Sequence, residues 1–284
     1  MTGWFAFPDH ASAVRIRTAR LAMFCVEAGK GPPVVCIHGL GWDSSLWYPT
    51  MAQLAPRHRV IAADTRGHGD SDKPEGPYTI AQFAEDWVAL LDRLEVRAAT
   101  IVGLSQGGMI AQALALARPD LVSRLVLVAT ACGSHPDARA NMEARIAALA
   151  SAGPEAAARV AADSIFSAPW RQQNPTELAR FRTWRCLAPA APLTAAMRAV
   201  YDFDLSGALP SLRVPTLVLT GEADTLIPPP ASRQIAALVP GAVLRELPGV
   251  GHMIPVEAPR EFHRHLHDFL HGDPGRAHRM EAMQ

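Results

Sequence analysis

The sequence predicts an α/β fold: a mostly parallel sheet with helices on both faces, interrupted by a helical lid insertion. Three observations carry this. Short apolar runs alternate with helix-period segments over the first 130 residues, as expected of a parallel sheet wound with helices. Runs such as Val34-Val35-Cys36-Ile37 and Leu125-Val126-Leu127-Val128 are apolar without alternation, as strands covered on both faces must be. The alternation then stops near Thr130 and resumes near Pro215, leaving a stretch that reads as helix only.

The first strand reads as Leu21–Ala28, followed by Val34–His38, Arg59–Asp64, Thr100–Leu104 and Arg124–Ala129. Tyr78–Leu94 carries Ile80, Phe83, Trp87, Leu90, Leu91 and Leu94 at helix spacing. Gln106–Ala117 is rich in helix formers, and Arg118-Pro119 ends it. From Cys132 to Gly207 the segments Asp137–Ala152, Pro154–Phe166, Thr176–Leu187 and Leu193–Tyr201 read as helices punctuated by prolines. Strand Pro215–Thr220, helix Pro229–Val239, strand Ala242–Leu247 and helix Ala258–Leu270 complete the pattern. The expected organisation is a core in two parts, residues 1–130 and 209–272, a lid over residues 131–208, and a flexible tail over residues 273–284.

Composition limits the partners. The chain of 284 residues is 49% hydrophobic and 19% charged, a folded composition. Its 27 basic residues balance 27 acidic ones, which leaves no footprint for nucleic acid or an anionic membrane. No apolar run reaches the length of a membrane span, and Met1–His10 does not resemble a signal peptide, so a cytoplasmic location is expected. Cys25, Cys36, Cys132 and Cys186 are far apart and read as free thiols. A small-molecule substrate is the expected partner, and a homo-oligomer is compatible with the sequence.

Gly103-Leu104-Ser105-Gln106-Gly107 fits G-x-S-x-G. By itself the match is weak, since about one chain in ten of this length would carry it at ordinary glycine usage. Its context is specific: it follows an apolar strand and opens a helix. That turn lifts a serine hydroxyl above the sheet, where the helix N-terminus also aims its free amides. A serine needs a base to take its proton. In this motif class an acid and then a histidine follow the serine in the chain. Asp224 stands just past the strand Pro215–Thr220, at the strand end where α/β sheets build their sites. His252 lies in the glycine-rich loop Pro248–His252 before the last helix. Ser105, Asp224 and His252 are thus the candidate catalytic residues. Glu222 is the rival acid two residues before Asp224.

Acyl transfer also needs donors for the oxyanion, each worth about 3 kcal/mol. The backbone N–H of Gln106 directly follows the serine. The second donor is expected from the loop His38-Gly39-Leu40-Gly41-Trp42, at the backbone N–H of Leu40. His263 and His267 lie four apart on the last helix, but no third ligand stands near them, and no metal site is predicted.

Four blocks in this order resemble the α/β-hydrolase family: His38-Gly39-Leu40-Gly41, Asp64–Ser71, Gly103–Gly108, and Gly221–Asp224 followed by Gly251-His252. The likeness extends over nearly the whole chain. It implies the α/β-hydrolase fold, a Ser105–Asp224–His252 triad, hydrolysis of a small to medium ester or lactone, and no cofactor. It also implies that Asp64–Ser71 is a structural turn. Within the family the chain is most similar to the 3-oxoadipate enol-lactonase group, through Gly76–Ile80, Gly103–Met109 and Asp204-Leu205 leading into Pro215–Val218. That group usually has methionine where this chain has Gln106. Carbon–carbon bond hydrolases and perhydrolases use the same triad. Dehalogenases and epoxide hydrolases place a carboxylate where Ser105 stands. A non-catalytic protein of this fold that binds a small ligand is the alternative from another class.

Overall fold

The computed structural model describes residues 3–134 and 136–272. Its centre is a sheet of eight strands: β1 (Ser12–Arg17), β2 (Ala22–Ala28), β3 (Pro33–Ile37), β4 (Arg59–Ala63), β5 (Ala99–Leu104), β6 (Val122–Val128), β7 (Thr216–Gly221) and β8 (Val243–Leu247). Their spatial order is β1-β2-β4-β3-β5-β6-β7-β8. Strand β2 is antiparallel to both neighbours, and every other neighbouring pair is parallel.

Burial follows position in the sheet. Every residue of β5 and of β7 is buried, because helices cover both faces. Strand β1 is largely exposed along its length and sits at the edge. The sequence reading did not anticipate β1. Its residues Ser-Ala-Val-Arg-Ile-Arg bury little, so they lack the apolar signature that exposes the inner strands to a periodicity argument.

Helices α1 (Tyr48–Leu54), α2 (Ile80–Arg93), α3 (Gln106–Ala117), α8 (Pro229–Leu238), α9 (Ile254–Glu257) and α10 (Pro259–His271) belong to the sheet layers. The short α1 was also not predicted. Helix α2 begins where Thr79 caps it: its hydroxyl accepts the Gln82 amide while the Gln82 side chain accepts the Thr79 amide. Its buried stripe is Ile80, Phe83, Ala84, Trp87, Leu90 and Leu91. Helix α2 is tied to the Asp64–Ser71 turn by Asp86. Its fully buried carboxylate accepts from the Arg66 guanidinium at 2.6 and 2.7 Å and from Arg20 at 2.9 Å.

Between β6 and β7 the chain forms α4 (Pro136–Ile165), α5 (Ala168–Gln173), α6 (Pro175–Arg185) and α7 (Ala190–Arg198). Helix α4 is two helical segments, because Gly153 breaks it at φ +79° and Pro154 opens the second. The N-terminal arm joins the two layers. Trp4 is buried edge-on against Trp42 of the core and Phe181 of α6, and its carbonyl accepts from Arg180. Its amide donates to Ser45 Oγ. The tail predicted for residues 273–284 lies outside the described residues. Among the described residues no helix is long and apolar enough to cross a membrane.

Candidate active site

The strand order reverses between β3 and β5. The chain leaves β3 toward β4 on one side and returns to β5 on the other. Loops leaving the carboxyl ends of these two strands open a crevice at that point. The loop after β3 carries Leu40, and the turn after β5 carries Ser105.

Ser105 stands between β5 and α3 at φ +55°, ψ −121°. A non-glycine residue there costs about 1–3 kcal/mol unless its surroundings over-determine it. They do so here. The Ser105 amide donates to Val128 O, and its carbonyl accepts from Gly108, Met109 and the Thr130 hydroxyl. The glycines of the motif have a steric reason. A Cβ on Gly103 would lie 2.3 Å from Gly107 O, and one on Gly107 would lie 2.3 Å from Ile37 O. The turn therefore closes tightly enough to leave Ser105 at the tip.

Asp224 and His252 come from loops laced together past the ends of β7 and β8. Glu222 N donates to Leu247 O and Ala223 N to Val250 O. Gly221 packs so closely that an added Cβ would meet Gly251 O at 2.3 Å. Asp224 Oδ2 accepts from His252 Nδ1 at 2.7 Å, and both side chains are buried. Asp224 Oδ1 accepts the amides of Leu226 and Ile227, each at 2.9 Å. The carboxylate is thus fixed on both oxygens, and the bond to Nδ1 leaves Nε2 as the free ring nitrogen. The rival acid is elsewhere: Glu222 is exposed and its Oε2 accepts from Gly249 N.

Ser105 and His252 line one small cavity of about 20 Å³. No hydrogen bond joins the Ser105 hydroxyl to the imidazole here, and such bonds commonly tighten only with substrate present. Ser105 also borders a larger adjoining cavity of about 870 Å³, shared with Leu40 and Gln106. Gln106 opens α3, so its amide is among those the helix leaves without an intrahelical acceptor. Gly39 brings the Leu40 loop against the serine turn, where a Cβ would lie 3.3 Å from Ser105 Cβ. The structure therefore brings Ser105, Asp224, His252, Leu40 and Gln106 to one crevice. The Gln106 side chain has its own task. It donates to Ala196 O of α7 at 2.7 Å, tying the serine turn to the lid.

The Asp64–Ser71 block sits beneath this crevice. The His38 ring is held between Gly39 O at Nδ1 and the Thr65 amide at Nε2. Burial pushes it down to about 4, so it stays neutral. Burial and the adjacent His38 push His68 down to about 3. Asp64 accepts the amides of Ser44 and Asp70, and burial beside Asp43 pushes its carboxyl up to about 7. These side chains bond backbone groups of the turn and of the loop after β3.

Sequence reasoning missed Glu257. One of its oxygens accepts the amides of Gly251 and Ser167, and the other accepts Met253 N. It clamps the His252 loop to the end of the lid. Its only local signal was a carboxylate five residues after the histidine. Arg145 of α4 and Arg185 of α6 also border the small cavity.

The model of the α/β hydrolase fold matches residues 32–259. The chain belongs to the α/β-hydrolase family. This α/β hydrolase is similar to the enol-lactonase of Burkholderia xenovorans LB400, at 30% identity and a TM-score of 0.85, over 90% of this chain and 99% of that one. It is similar to a hydrolase of Pseudomonas aeruginosa PA01, at 32% identity and a TM-score of 0.84, over 93% and 99% of the two chains. A relative from Caulobacter sp. (strain K31), named "Putative carbamate hydrolase RutD", is 31% identical over 84% of this chain and 91% of its own.

Proposed function

We propose that this α/β hydrolase is a serine hydrolase that cleaves a carboxylic ester or lactone through an acyl-enzyme. One observation carries the reading: the buried Asp224–His252 pair shares a crevice with Ser105, which is held on a strained strand-to-helix turn. In the first step Ser105 Oγ attacks the carbonyl carbon and His252 Nε2 takes its proton. Asp224 keeps the proton on Nδ1 and stabilises the imidazolium as it forms. The amides of Leu40 and Gln106 receive the oxyanion. His252 then protonates the leaving oxygen. Water repeats the sequence and releases the acid.

The larger cavity, bordered by Met109, Met142, Val200 and Leu226, suits a mainly apolar substrate body. The similarity to an enol-lactonase favours lactones within this class. A second reading comes from the relative named for carbamate hydrolysis, because the same addition to a carbonyl would serve a carbamate.

Labelling with a fluorophosphonate probe tests the assignment. The probe is expected on Ser105 and lost in Ser105→Ala. Wild-type protein that stays unlabelled while folded would overturn it. A panel of esters, lactones and carbamates then ranks the substrate classes by kcat/KM.

A further inference from the structure

A second cluster of titratable side chains lies at the other end of the sheet. His58 directly precedes β4, and Arg124 is the third residue of β6. Both stand at the amino ends of parallel strands, whereas Ser105 follows the carboxyl end of β5. The last turn of α10 joins them. The His58 ring lies 5.3 Å from the His271 ring, which lies 4.5 Å from that of His267. Arg57 and Arg124 act electrostatically on His271 from the neighbouring elements. The loop of residues 29–31 packs against the carbonyls of Arg57 and His58 and adds Lys30.

Each of these groups is a cation or becomes one on protonation. Two carboxylates of the adjoining elements are engaged elsewhere. Asp268 meets His267 at 3.7 Å and Arg264 at 3.8 Å, all three exposed. Glu27 holds Arg59 through both oxygens at 3.0 Å. Two polar nitrogens are left over. His58 is 6% exposed, and its Nδ1 is buried without a hydrogen-bond partner, as is Arg124 Nε. Buried polar atoms without a partner are uncommon in folded proteins, and a bound ion is one of their causes. The charge around them decides its sign. Arg57 and Arg124 would repel a metal ion, and among the described residues no three His, Cys, Asp or Glu side chains are placed to hold one. An anion fits, because guanidinium and imidazolium N–H groups are the donors that phosphate-type oxygens take.

We propose that Arg57, His58, Arg124 and His271 form a binding site for a phosphate-type oxyanion, at the end of the sheet opposite the catalytic crevice. The anion would neutralise the cluster and clamp the end of α10 to the segment before β4. Its binding is coupled to protons. Burial, and then the neighbours His267, His58, Arg57 and Arg124, hold His271 below the usual imidazole range. An anion set among those neighbours offsets their charge and favours the imidazolium. Binding therefore takes up a proton and strengthens as the pH falls from 8 to 6.

The test follows the imidazole signals of the full chain by NMR during titration with sodium sulfate, with sodium chloride of equal ionic strength as the reference. Sulfate keeps both charges between pH 6 and pH 8, so only the protein titrates. It is expected to give saturable shifts at His58 and His271 and none at His252 in the crevice. Arg57→Gln and Arg124→Met should each weaken sulfate binding at least fivefold. Arg57 is exposed, so its variant is expected to fold even if the half-buried Arg124 position proves sensitive. Affinity at pH 6 should exceed that at pH 8 at least threefold. Inorganic phosphate and glycerol 3-phosphate, compared at pH 8 where both are mainly dianions, then separate the free ion from a phosphate monoester, and tighter binding of one names the source. Shifts that do not saturate, or that chloride reproduces, overturn the proposal. Unchanged affinity in both variants overturns it too, as does equal affinity at pH 6 and pH 8. These readouts need no turnover, so a Ser105 that fails to label would overturn the hydrolase reading and leave the anion site to its own test.

Discussion

Replacing Asp224 with Asn tests the proposed chemistry through one hydrogen atom. Asparagine has nearly the same shape, and its Oδ1 can still accept the two amides of Leu226 and Ile227. The group facing His252 Nδ1 changes from an acceptor at 2.7 Å to an NH2 donor. Nδ1 must then give up its hydrogen to accept that bond, and the proton moves to Nε2. An imidazole protonated at Nε2 cannot take the proton of Ser105. The charge that stabilises the imidazolium is lost as well. For a triad built this way the expected loss in kcat is about 10⁴, which is about 5 kcal/mol of transition-state stabilisation. Stability should change much less, by about 1–2 kcal/mol, because only one buried hydrogen bond changes character. The assay is p-nitrophenyl ester hydrolysis, paired with urea unfolding on the same preparations. A variant that folds normally and loses less than about tenfold in kcat would refute the assignment of Asp224. If Glu222→Gln instead produced the large loss, the acid would be the rival residue.

Trp4→Ala should lower unfolding free energy by about 3 kcal/mol, read by urea denaturation, since a fully buried indole between the core and α6 is removed. Asp86→Ala should cost about 3–5 kcal/mol in the same assay, because Arg66 and Arg20 lose their shared buried carboxylate. A change under 1 kcal/mol would show the pair to be dispensable. Gly107→Ala should cost about 3 kcal/mol and depress esterase activity, because its Cβ meets Ile37 O and the Ser105 turn must open. The thiols of Cys25 and Cys36 should resist iodoacetamide at pH 8 in the native protein. Burial pushes Cys25 up to about 12 and Cys36 higher still, so the thiolate that reacts is scarce. Rapid alkylation of either, followed by mass spectrometry, would contradict their burial.

Much of the fold was legible because its signals are local. Apolar runs marked the inner strands, and Arg118-Pro119 marked the end of α3. The break at Gly153-Pro154 was readable for the same reason, since backbone geometry there depends on two residues. The edge strand β1 was not readable because it buries no apolar face of its own, and α1 because its seven residues are too few to show a helix period. At the site, Ser105 and His252 could be named from short motifs and chain order. Glu257 could not, since its role depends on three amides supplied by two separate segments.

By itself the sequence determined the family, the sheet with its lid, and the order in which a serine, an acid and a histidine leave the strand ends. Those features follow from residue type and short spacing, which any window of the chain displays. Only the tertiary structure decided which of the lid's many arginines lack a counter-charge among the described residues. Arg145 and Arg185 stand 40 positions apart and look no different in sequence from Arg171 or Arg182. Whether a charge is paired depends on what the packing of α4 and α6 brings within reach, and Asp163 reaches one pair of arginines and not the other.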